Sequence, residues 1–313
     1  MRSCALLAPA KINLYLEIIG DRADGYHELA MVLQSVNLAD RVEIRPLAME
    51  KIRVHCDHPQ VPTNETNLAY RAAALLAQEF PDAYSRYGGV EIYIQKQIPV
   101  AAGLAGGSTN AAAVLVGLDL MWQLGLTQGE LQILAAKLGS DIPFCISGGT
   151  ALATGRGDEL SPLNDLDQMS VILAKYRSLE VSTQWAYQTY RQQFGHTYCD
   201  PRDADCRRQR VHSGPIVSAI SHRNSQEIGQ RLYNDLEKVV LPAYPAVLKL
   251  RETFANLGVL GTMMSGSGPT VFALTESRED ADRVAAEVRR ITDNRDLEIW
   301  VTKFIPNGIS LVN

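Results

Sequence analysis

The sequence predicts an α+β fold in two domains, residues 1–164 and 165–313. Its 313 residues are 46% hydrophobic and 21% charged, which suits a globular chain of two domains. Strand and helix patterns fill the first half, and a second series of both begins after "GGTALATGRGDELSPL". Pro162 and a polar run up to Asp167 interrupt the pattern, so we expect the boundary there.

Alternation of apolar and polar residues predicts the strands of the first half. The segment "AKINLYLEII" is the first of them, and "DRVEIRPL" with "KIRVHCD" suggests a further strand pair. A third clear alternation, "VEIYIQKQI", ends at Pro99.

Helices follow, with recognisable ends. "NLAYRAAALLAQEF" places its large apolar residues on one helical face, and Asn67 is its expected N-cap. An alanine-rich helix after a group of glycines is expected to run to Gly125. "TQGELQILAAKLG" opens with the capping box Thr127 and Glu130 and closes at Gly139.

The second half repeats the mixture of strands and helices. We expect strands at "MSVILAK", "TVFALT" and "LEIWVTKFI". We expect helices at "STQWAYQTYRQQF", "EIGQRLYNDLEKVVL", "YPAVLKLRETFANLG" and "REDADRVAAEVRRIT". A polar insertion around residues 200–213 separates the first of these helices from the second.

Composition restricts the possible partners and compartment. A net charge of -5 and a pI near 5.7 argue against nucleic-acid binding, which usually needs a basic face. No run reaches the roughly 18 apolar residues of a membrane span, and Lys11 comes too early for a secretory signal. We therefore expect a cytoplasmic protein without membrane contact.

The cysteines do not predict a disulfide framework. The five, Cys4, Cys56, Cys145, Cys199 and Cys206, are an odd set without a CxxC pair. "HTYCDPRDADCRRQRVH" brings two cysteines and two histidines together, but their spacing fits no standard zinc pattern. A charged surface insertion is the favoured interpretation, and a zinc site is the alternative.

The stretch "PVAAGLAGGSTNAAAVLV" leads from a strand into the alanine-rich helix. The first amides of a helix lack intrahelical partners and lie at the positive end of its dipole, so small residues there can surround a phosphate. The alternative is a turn that only lets the helix pack tightly on a sheet. The residues of this predicted phosphate-binding stretch are Pro99, Val100, Ala101, Ala102, Gly103, Leu104, Ala105, Gly106, Gly107, Ser108 and Thr109.

Two common phosphate loops are excluded here. The Walker pattern ends in Gly-Lys-Ser/Thr, and "GLAGGST" has no lysine. The dinucleotide fingerprint G-x-G-x-x-G after a first strand is also absent. The stretch instead resembles the phosphate loop of the GHMP kinases (galactokinase, homoserine kinase, mevalonate kinase and phosphomevalonate kinase), P-x-x-x-G-L-x-S-S-x-A. Gly107 stands where many members have a first serine.

Three further blocks narrow the resemblance, which spans nearly the whole chain except about residues 190–216. They are "APAKINLYLEIIGDRADGYHEL", "GSDIPFCISGGTALATGRGDEL" and "GTMMSGSGPTVFAL". Together they are similar to the branch that phosphorylates the 2-hydroxyl of 4-diphosphocytidyl-2-C-methyl-D-erythritol in non-mevalonate isoprenoid synthesis. The resemblance implies a domain like domain 2 of ribosomal protein S5 followed by a ferredoxin-like domain. It also implies ATP as co-substrate, Mg²⁺ as its counter-ion and a cytidine diphosphate sugar alcohol as the other substrate.

The catalytic residues implied are Lys11 and Asp141. Asp141 precedes Pro143 and alone would be interpreted as a turn cap; the resemblance makes it the base that accepts the hydroxyl proton. Lys11 lies at a strand start among apolar residues, where an unpaired charge is costly. Its alternative is a side chain extended to solvent, whereas the resemblance places it beside Asp141.

The substrate-binding residues implied begin with Asn13, which shares a strand face with Lys11 and is assigned to the substrate hydroxyls. Tyr26 and His27 would recognise cytidine, although a Tyr-His pair after a glycine is usually just a turn. Tyr187 would stack on the base and Thr183 would lie near the diphosphate. Leu33 aligns with an aromatic of relatives and is the expected opposite wall of the base pocket.

The resemblance also implies that a second glycine-rich turn, "SGSGPT", with Gly266 and Ser267, supports the nucleotide and substrate side of the cleft; the alternative is a plain strand-entry turn. Asn67 and Lys96 would flank the adenine unless they are a cap and a strand-surface residue. Ser108 or Thr109 could contact Mg²⁺, and we expect no metal site made by the protein alone. A monomer or weak homodimer is expected. Another GHMP kinase acceptor and a nucleotide sensor without turnover remain alternatives.

Overall fold

The computed structural model describes residues 3–166, 169–199 and 214–312. Two β-sheets, each covered by helices, form the molecule. The first sheet holds the strands of the N-terminal half, and the second holds four strands of the C-terminal half.

The first sheet is built on a long antiparallel hairpin of β1 (Cys4–Asp21) and β2 (His27–Leu47). Its further strands are β3 (Ile52–Cys56), β4 (Gly89–Gln95), β5 (Thr150–Thr154) and β6 (Glu159–Pro162). The last part of β2 pairs with β4, residues 31–34 in its first half pair with β5, and β5 pairs with β6. The strand order along the main path therefore brings β4 between β2 and β3.

Helices cover this sheet, and the alanine-rich one is at their centre. They are α1 (Leu68–Glu79), α2 (Pro81–Tyr87), α3 (Gly106–Trp122), α4 (Gln128–Ala136) and α5 (Ile142–Ser147). Helix α3 packs against α1, α4, α5 and β1, so residues 111–115 have no exposed surface. A helix that is apolar on all sides must be buried in this way, and its small side chains permit the close approach.

The second sheet is antiparallel, in the order β11-β7-β10-β9. Its strands are β7 (Ser170–Tyr176), β9 (Gly261–Met264), β10 (Val271–Thr275) and β11 (Leu297–Lys303). Its order along the chain and across the sheet is that of the predicted ferredoxin-like domain.

Further elements complete the C-terminal half. They are α6 (Thr183–Phe194), a 3-10 turn (Gly195–Thr197), α7 (Pro215–Ser221), α8 (Ser225–Gln230), β8 (Tyr233–Asn234), α9 (Glu237–Ala243), α10 (Pro245–Ala255), α11 (Arg278–Thr292) and β12 (Ser310–Leu311). Strands β8 and β12 pair with β1 and so belong to the first sheet. A domain division at residues 164/165 stays a prediction, since these two strands return across it.

Several local predictions are confirmed. Asn67 caps α1 by accepting a hydrogen bond from the amide of Ala69 at 2.8 Å. Thr127 and Glu130 form the expected capping box of α4. Helix α11 has the predicted bounds. Short-range patterns of this kind depend only on neighbours in the chain, which is why the sequence carries them.

Other expectations are wrong. Strands β2 and β3 do not pair with each other, because β4 lies between them and runs parallel to β3. The helix expected over 227–241 is divided into α8 and α9 by β8. Helix α3 ends at Trp122 rather than near Gly125, since Gln123 adopts a left-handed conformation with φ of 54°. Strand pairing with β1 outweighs helical propensity around residue 233.

Among the described residues, no helix combines the length and apolar character needed to cross a bilayer. The insertion over 200–213, with Cys206 and His212 of the alternative zinc site, lies outside the described residues. The described residues therefore do not test the alternative of a zinc site.

Candidate active site

A cavity of about 940 Å³ lies where the two sheets' helices and loops meet. Residues from both halves of the chain line it. They include Lys11 and Asn13 of β1, Tyr26 and His27 before β2, the glycine-rich stretch, Asp141, Thr183 and Tyr187 of α6, and Gly266 and Ser267. The fold thus brings the residues predicted from separate blocks to one place.

The glycine-rich stretch forms one wall of the cavity. Ten of its eleven predicted residues line it, from Pro99 to Ser108. Helix α3 begins at Gly106 after Ala105, which has no side chain that could cap the helix. Its first amides are therefore available to an anion in the cavity. Thr109 is fully buried and is not among the lining residues, so Ser108 supplies the hydroxyl on this wall.

Gly103 is the position in this stretch that requires a glycine. Its φ is 73°, and a Cβ atom there would lie 2.3 Å from the carbonyl oxygen of Ser265. The Ser265 hydroxyl also donates to the Gly103 carbonyl at 3.1 Å. The two glycine-rich loops are thus in direct backbone contact, and a side chain at residue 103 would separate them.

We expect Gly103→Ala to raise the KM for ATP by about tenfold, because displaced loop amides lose the equivalent of one good hydrogen bond to phosphate. Steady-state kinetics with varied ATP measures this. Gly129→Ala is the control, since a Cβ atom at residue 129 of α4 meets nothing within 4 Å. An unchanged KM for ATP in the Gly103 variant would contradict the prediction.

A buried ion pair connects the segments on both sides of the glycine-rich stretch. Lys96 Nζ donates to Asp40, which has no exposed surface. Asp40 also accepts from Asn110 Nδ2 at 2.8 Å and from the amides of Gln97 and Ile98 at 2.7 and 2.9 Å. Lys96 lines the cavity, but its ammonium group is paired with Asp40. This ion pair connects β2, the end of β4 and the first turns of α3.

Asp40→Ala is expected to lower the free energy of unfolding by about 3 kcal/mol, because it leaves the Lys96 charge buried without a partner. Urea unfolding followed by circular dichroism measures the change. Glu79→Gln is a matched control, since the Glu79–Lys137 pair is exposed and should contribute much less. Equal losses in both variants would contradict the proposed role of Asp40.

Lys11 and Asp141 meet in the centre of the cavity wall. Lys11 Nζ lies 3.4 Å from Asp141 Oδ1 and donates to Asn13 Oδ1 at 2.8 Å. The Lys11 side chain is 6% exposed, so the alternative in which it extends to solvent is excluded, whereas Asp141 is 36% exposed and lines the cavity. Asp141 precedes α5 but makes no side-chain cap hydrogen bond, so the capping interpretation is also excluded.

His27 and Tyr187 line the cavity side by side. Their ring centroids lie 5.1 Å apart at an interplanar angle of 36°. Burial, and then the charge of Arg191, lower the pKa of His27 to about 4, so its imidazole is neutral at physiological pH. Tyr26 is exposed, and Arg156 lies over its ring at 5.1 Å. Neutral imidazole and aromatic faces suit an uncharged heterocycle.

Leu33 is not the opposite wall of this pocket, and that expectation is wrong. Leu33 has no exposed surface and packs inside the hydrophobic core behind the cavity. Met31, two residues earlier on the same strand, lines the cavity instead. Alignment by residue type alone could not distinguish the two positions.

The second glycine-rich turn closes the cavity between the domains. The hydroxyl groups of Thr183 and Ser267 lie 2.8 Å apart and join α6 to this turn. Asn234 Nδ2 donates to the carbonyls of Met264 and Gly266 at 2.9 and 2.8 Å and thereby holds the turn. Sequence analysis missed Asn234 because its partners lie about thirty residues away and no local motif marks it.

Comparison with known proteins explains this arrangement. The GHMP kinases N terminal domain matches residues 67–149, and GHMP kinases C terminal matches residues 216–293. Proteins named 4-diphosphocytidyl-2-C-methyl-D-erythritol kinase from Nostoc punctiforme and Trichodesmium erythraeum are each 64% identical to the chain. The alignments cover 100% of this chain and 99% and 100% of those proteins.

The chain belongs to the 4-diphosphocytidyl-2-C-methyl-D-erythritol kinase family. A crystal structure of 4-(cytidine 5'-diphospho)-2C-methyl-D-erythritol kinase is 31% identical, with a TM-score of 0.73 over 96% of this chain and 98% of that one. A homoserine kinase structure from Cytophaga hutchinsonii has a TM-score of 0.78 at 18% identity, covering 100% and 98% of the two chains, and shows the fold alone. The predicted two-domain GHMP kinase fold is confirmed.

Membership of this family makes the chain a small-molecule kinase, for which ATP is the expected co-substrate. Polar residues that sequence analysis did not select also line the cavity, among them Arg156, Gln188 and Arg191. Arg156 lies in the turn between β5 and β6 and the other two lie on α6, and only the packing of these elements brings them to the cavity.

Proposed function

We propose that this chain transfers the γ-phosphoryl group of ATP to the 2-hydroxyl of 4-diphosphocytidyl-2-C-methyl-D-erythritol, in non-mevalonate isoprenoid precursor synthesis. The observation that carries the proposal is the position of the Lys11–Asp141 pair, in one cavity with a helix-mouth anion site and a His27–Tyr187 pocket. The names of relatives aligned over the whole chain support the acceptor.

In the proposed reaction, Asp141 accepts the proton of the 2-hydroxyl while that oxygen forms its bond to the γ-phosphorus. The bond between the γ-phosphorus and the β–γ bridging oxygen breaks, and ADP leaves. The absence of a capping bond on Asp141 supports this role, because its carboxylate remains available to a ligand. No covalent enzyme intermediate is required.

Lys11 has two proposed tasks. Its ammonium pairs with the Asp141 carboxylate and so holds it in place, and it offsets negative charge that develops on the transferred phosphoryl group. Burial and the hydrogen bond to Asn13 restrict the ammonium to one position, so little reorganisation is needed during the reaction. Asn13, itself fully buried apart from the cavity, is assigned to the acceptor's hydroxyls.

Polyphosphate binding is assigned to the amides at the start of α3 and to Ser108. No group of three or more His, Cys, Asp or Glu side chains among the described residues is arranged to hold a metal ion. This donor set fits Mg²⁺ that is bound chiefly by ATP phosphates and water, with Ser108 and Asp141 as available oxygen ligands. Mg²⁺ would supply neutralisation of phosphate charge there.

At the other end, His27 and Tyr187 are assigned to cytosine, with Tyr26 beside them. A neutral imidazole carries one donor and one acceptor, which can pair with the amino group and ring acceptors of cytosine. Thr183, Ser267 and Gly266 line the same cavity, with the two hydroxyls 2.8 Å apart, and we assign them to the diphosphate. With these assignments, the cavity contacts the acceptor from its cytosine to its reacting 2-hydroxyl.

Incubation of the purified protein with Mg-ATP and single acceptors tests the proposal. ADP release and a singly phosphorylated product by mass spectrometry are expected with 4-diphosphocytidyl-2-C-methyl-D-erythritol. Methylerythritol without the cytidine diphosphate group, homoserine and mevalonate are the matched controls. If ADP were released with homoserine or mevalonate but not with the proposed acceptor, that compound would be the acceptor instead. If ATP bound without any product, the protein would be a nucleotide sensor and not a kinase.

A further inference from the structure

Arg191 lies one helical turn after Tyr187 on α6 and connects this helix to the turn between β1 and β2. Its Nε donates to Asp21 Oδ1 at 2.7 Å, and one terminal nitrogen donates to the Gly25 carbonyl at 3.1 Å. The planar guanidinium with its fork of donors suits this double contact, which a lysine could not reproduce. The turn it holds carries Tyr26 and His27 into the cavity.

The same Asp21 carboxylate also faces His27. Asp21 Oδ1 lies 3.7 Å from His27 Nε2, and that nitrogen is buried without a hydrogen-bond partner among the described residues. Arg191 therefore engages a carboxylate that would otherwise be free to attract a proton onto the imidazole. His27 is 8% exposed, so water offers little alternative stabilisation of the charged ring.

We propose that Arg191 is a positioning residue for nucleobase recognition, which fastens the β1–β2 turn to α6 and offsets the charge of the Asp21 carboxylate that faces His27. The inference rests on the proposed function, since it takes the His27–Tyr187 pocket as the cytosine site. In this proposal, Arg191 controls both the position and the protonation state of the His27 imidazole.

The charges around His27 determine the direction of the effect. The groups that face it among the described residues are Asp21 from β1, Arg191 and Tyr187 from α6, and Tyr198 after the 3-10 turn. Burial and Arg191 lower the pKa of His27, and Asp21 raises it. Burial raises the pKa of Tyr187 and of Tyr198, so both rings stay uncharged near neutrality. Removal of Arg191 therefore leaves Asp21 as the only facing charge in this set.

Without Arg191, the pKa of His27 should rise and the imidazole should become protonated on mild acidification. A protonated imidazole has two donors and no acceptor, so it cannot accept from the cytosine amino group. In the unaltered protein the pKa of about 4 keeps recognition independent of pH above roughly 5.

Arg191→Met is the test variant. We expect its KM for 4-diphosphocytidyl-2-C-methyl-D-erythritol to rise about tenfold at pH 8, through loss of positioning, with kcat changed less than about twofold. Below the new pKa of His27, KM should rise further, by up to about tenfold per pH unit. The KM of the unaltered enzyme should stay constant over the same range.

Three further variants separate the possible causes. Arg22→Met removes an arginine of the same turn that binds Asp24 and Glu28, and it should leave the pH profile of KM flat. Arg191→Lys keeps the charge without the double contact, so KM should rise with a flat profile. Asp21→Asn added to Arg191→Met should abolish the pH dependence while KM stays high.

NMR titration of the His27 imidazole in the free protein, assigned with His27→Gln, needs no turnover. A higher pKa of His27 in Arg191→Met than in the unaltered protein is expected. An equal pKa in both would overturn the inference, even in an active kinase. A raised pKa in a protein that does not phosphorylate the proposed acceptor would overturn only the proposed function.

Discussion

Asp141→Asn is expected to lower kcat by about 10³-fold, with KM for both substrates changed little, because an amide cannot accept the hydroxyl proton. The steady-state rate of ADP formation measures this loss. The fold should be unaffected, since the Asp141 side chain makes no cap bond and Lys11 keeps its hydrogen bond to Asn13. The midpoint of thermal unfolding should therefore remain within a few degrees of that of the unaltered protein.

Asp82→Asn is the matched control for this variant. Asp82 is exposed in the first turn of α2 and does not line the cavity. The kcat of the Asp82→Asn variant should therefore be unchanged. A loss of less than about tenfold in Asp141→Asn would assign the proton to another acceptor and leave Asp141 a merely electrostatic role.

Lys11→Met is expected to lower kcat by about 10³-fold as well, because it removes the cation beside the base and the transferred phosphoryl group. Methionine preserves most of the volume of the buried lysine stem. The Asp141 carboxylate that remains is 36% exposed and can be hydrated, so the free energy of unfolding should change by less than about 1 kcal/mol. Single-turnover kinetics at saturating substrates separate this loss from weaker binding.

The comparison for Lys11→Met is Lys137→Met, which removes an exposed lysine paired with Glu79 and should retain full activity. Combining Lys11→Met with Asp141→Asn should cost far less than the product of the single losses, because the two residues act on one transition state. Near-normal kcat in Lys11→Met would falsify the proposed role of this lysine.

Local sequence patterns accounted for much of the secondary structure and for part of the site. Asn67, the Thr127–Glu130 box and the bounds of α11 were predictable because caps and helical periodicity involve residues at most a few positions apart. The division of the helix expected over 227–241 was not, since β8 forms only by pairing with β1. Long-range pairing overrides propensity wherever the local preference is weak.

The candidate active site shows the same distinction between local sequence patterns and long-range contacts. The glycine-rich stretch could be predicted as a cavity wall because small residues before a helix start are a continuous pattern in the sequence. By contrast, Leu33 and Met31 lie two residues apart on one strand and are both buried, and which of them lines the cavity depends on how other elements pack against β2. Asn234 and Arg191 act on backbone groups from distant segments, so no pattern within the sequence marks them.

The sequence by itself determined the α+β class, the strand and helix periods, the glycine-rich start of α3 and, through its resemblance, the kinase family. Only the tertiary structure decided that β4 lies between β2 and β3, that Lys11 lies within 3.4 Å of Asp141, and that Arg191 and His27 share one carboxylate. The physical reason is that propensity and periodicity record contacts between near neighbours in the chain. Pairing, burial and charge proximity instead follow from the free energy of the whole packed molecule.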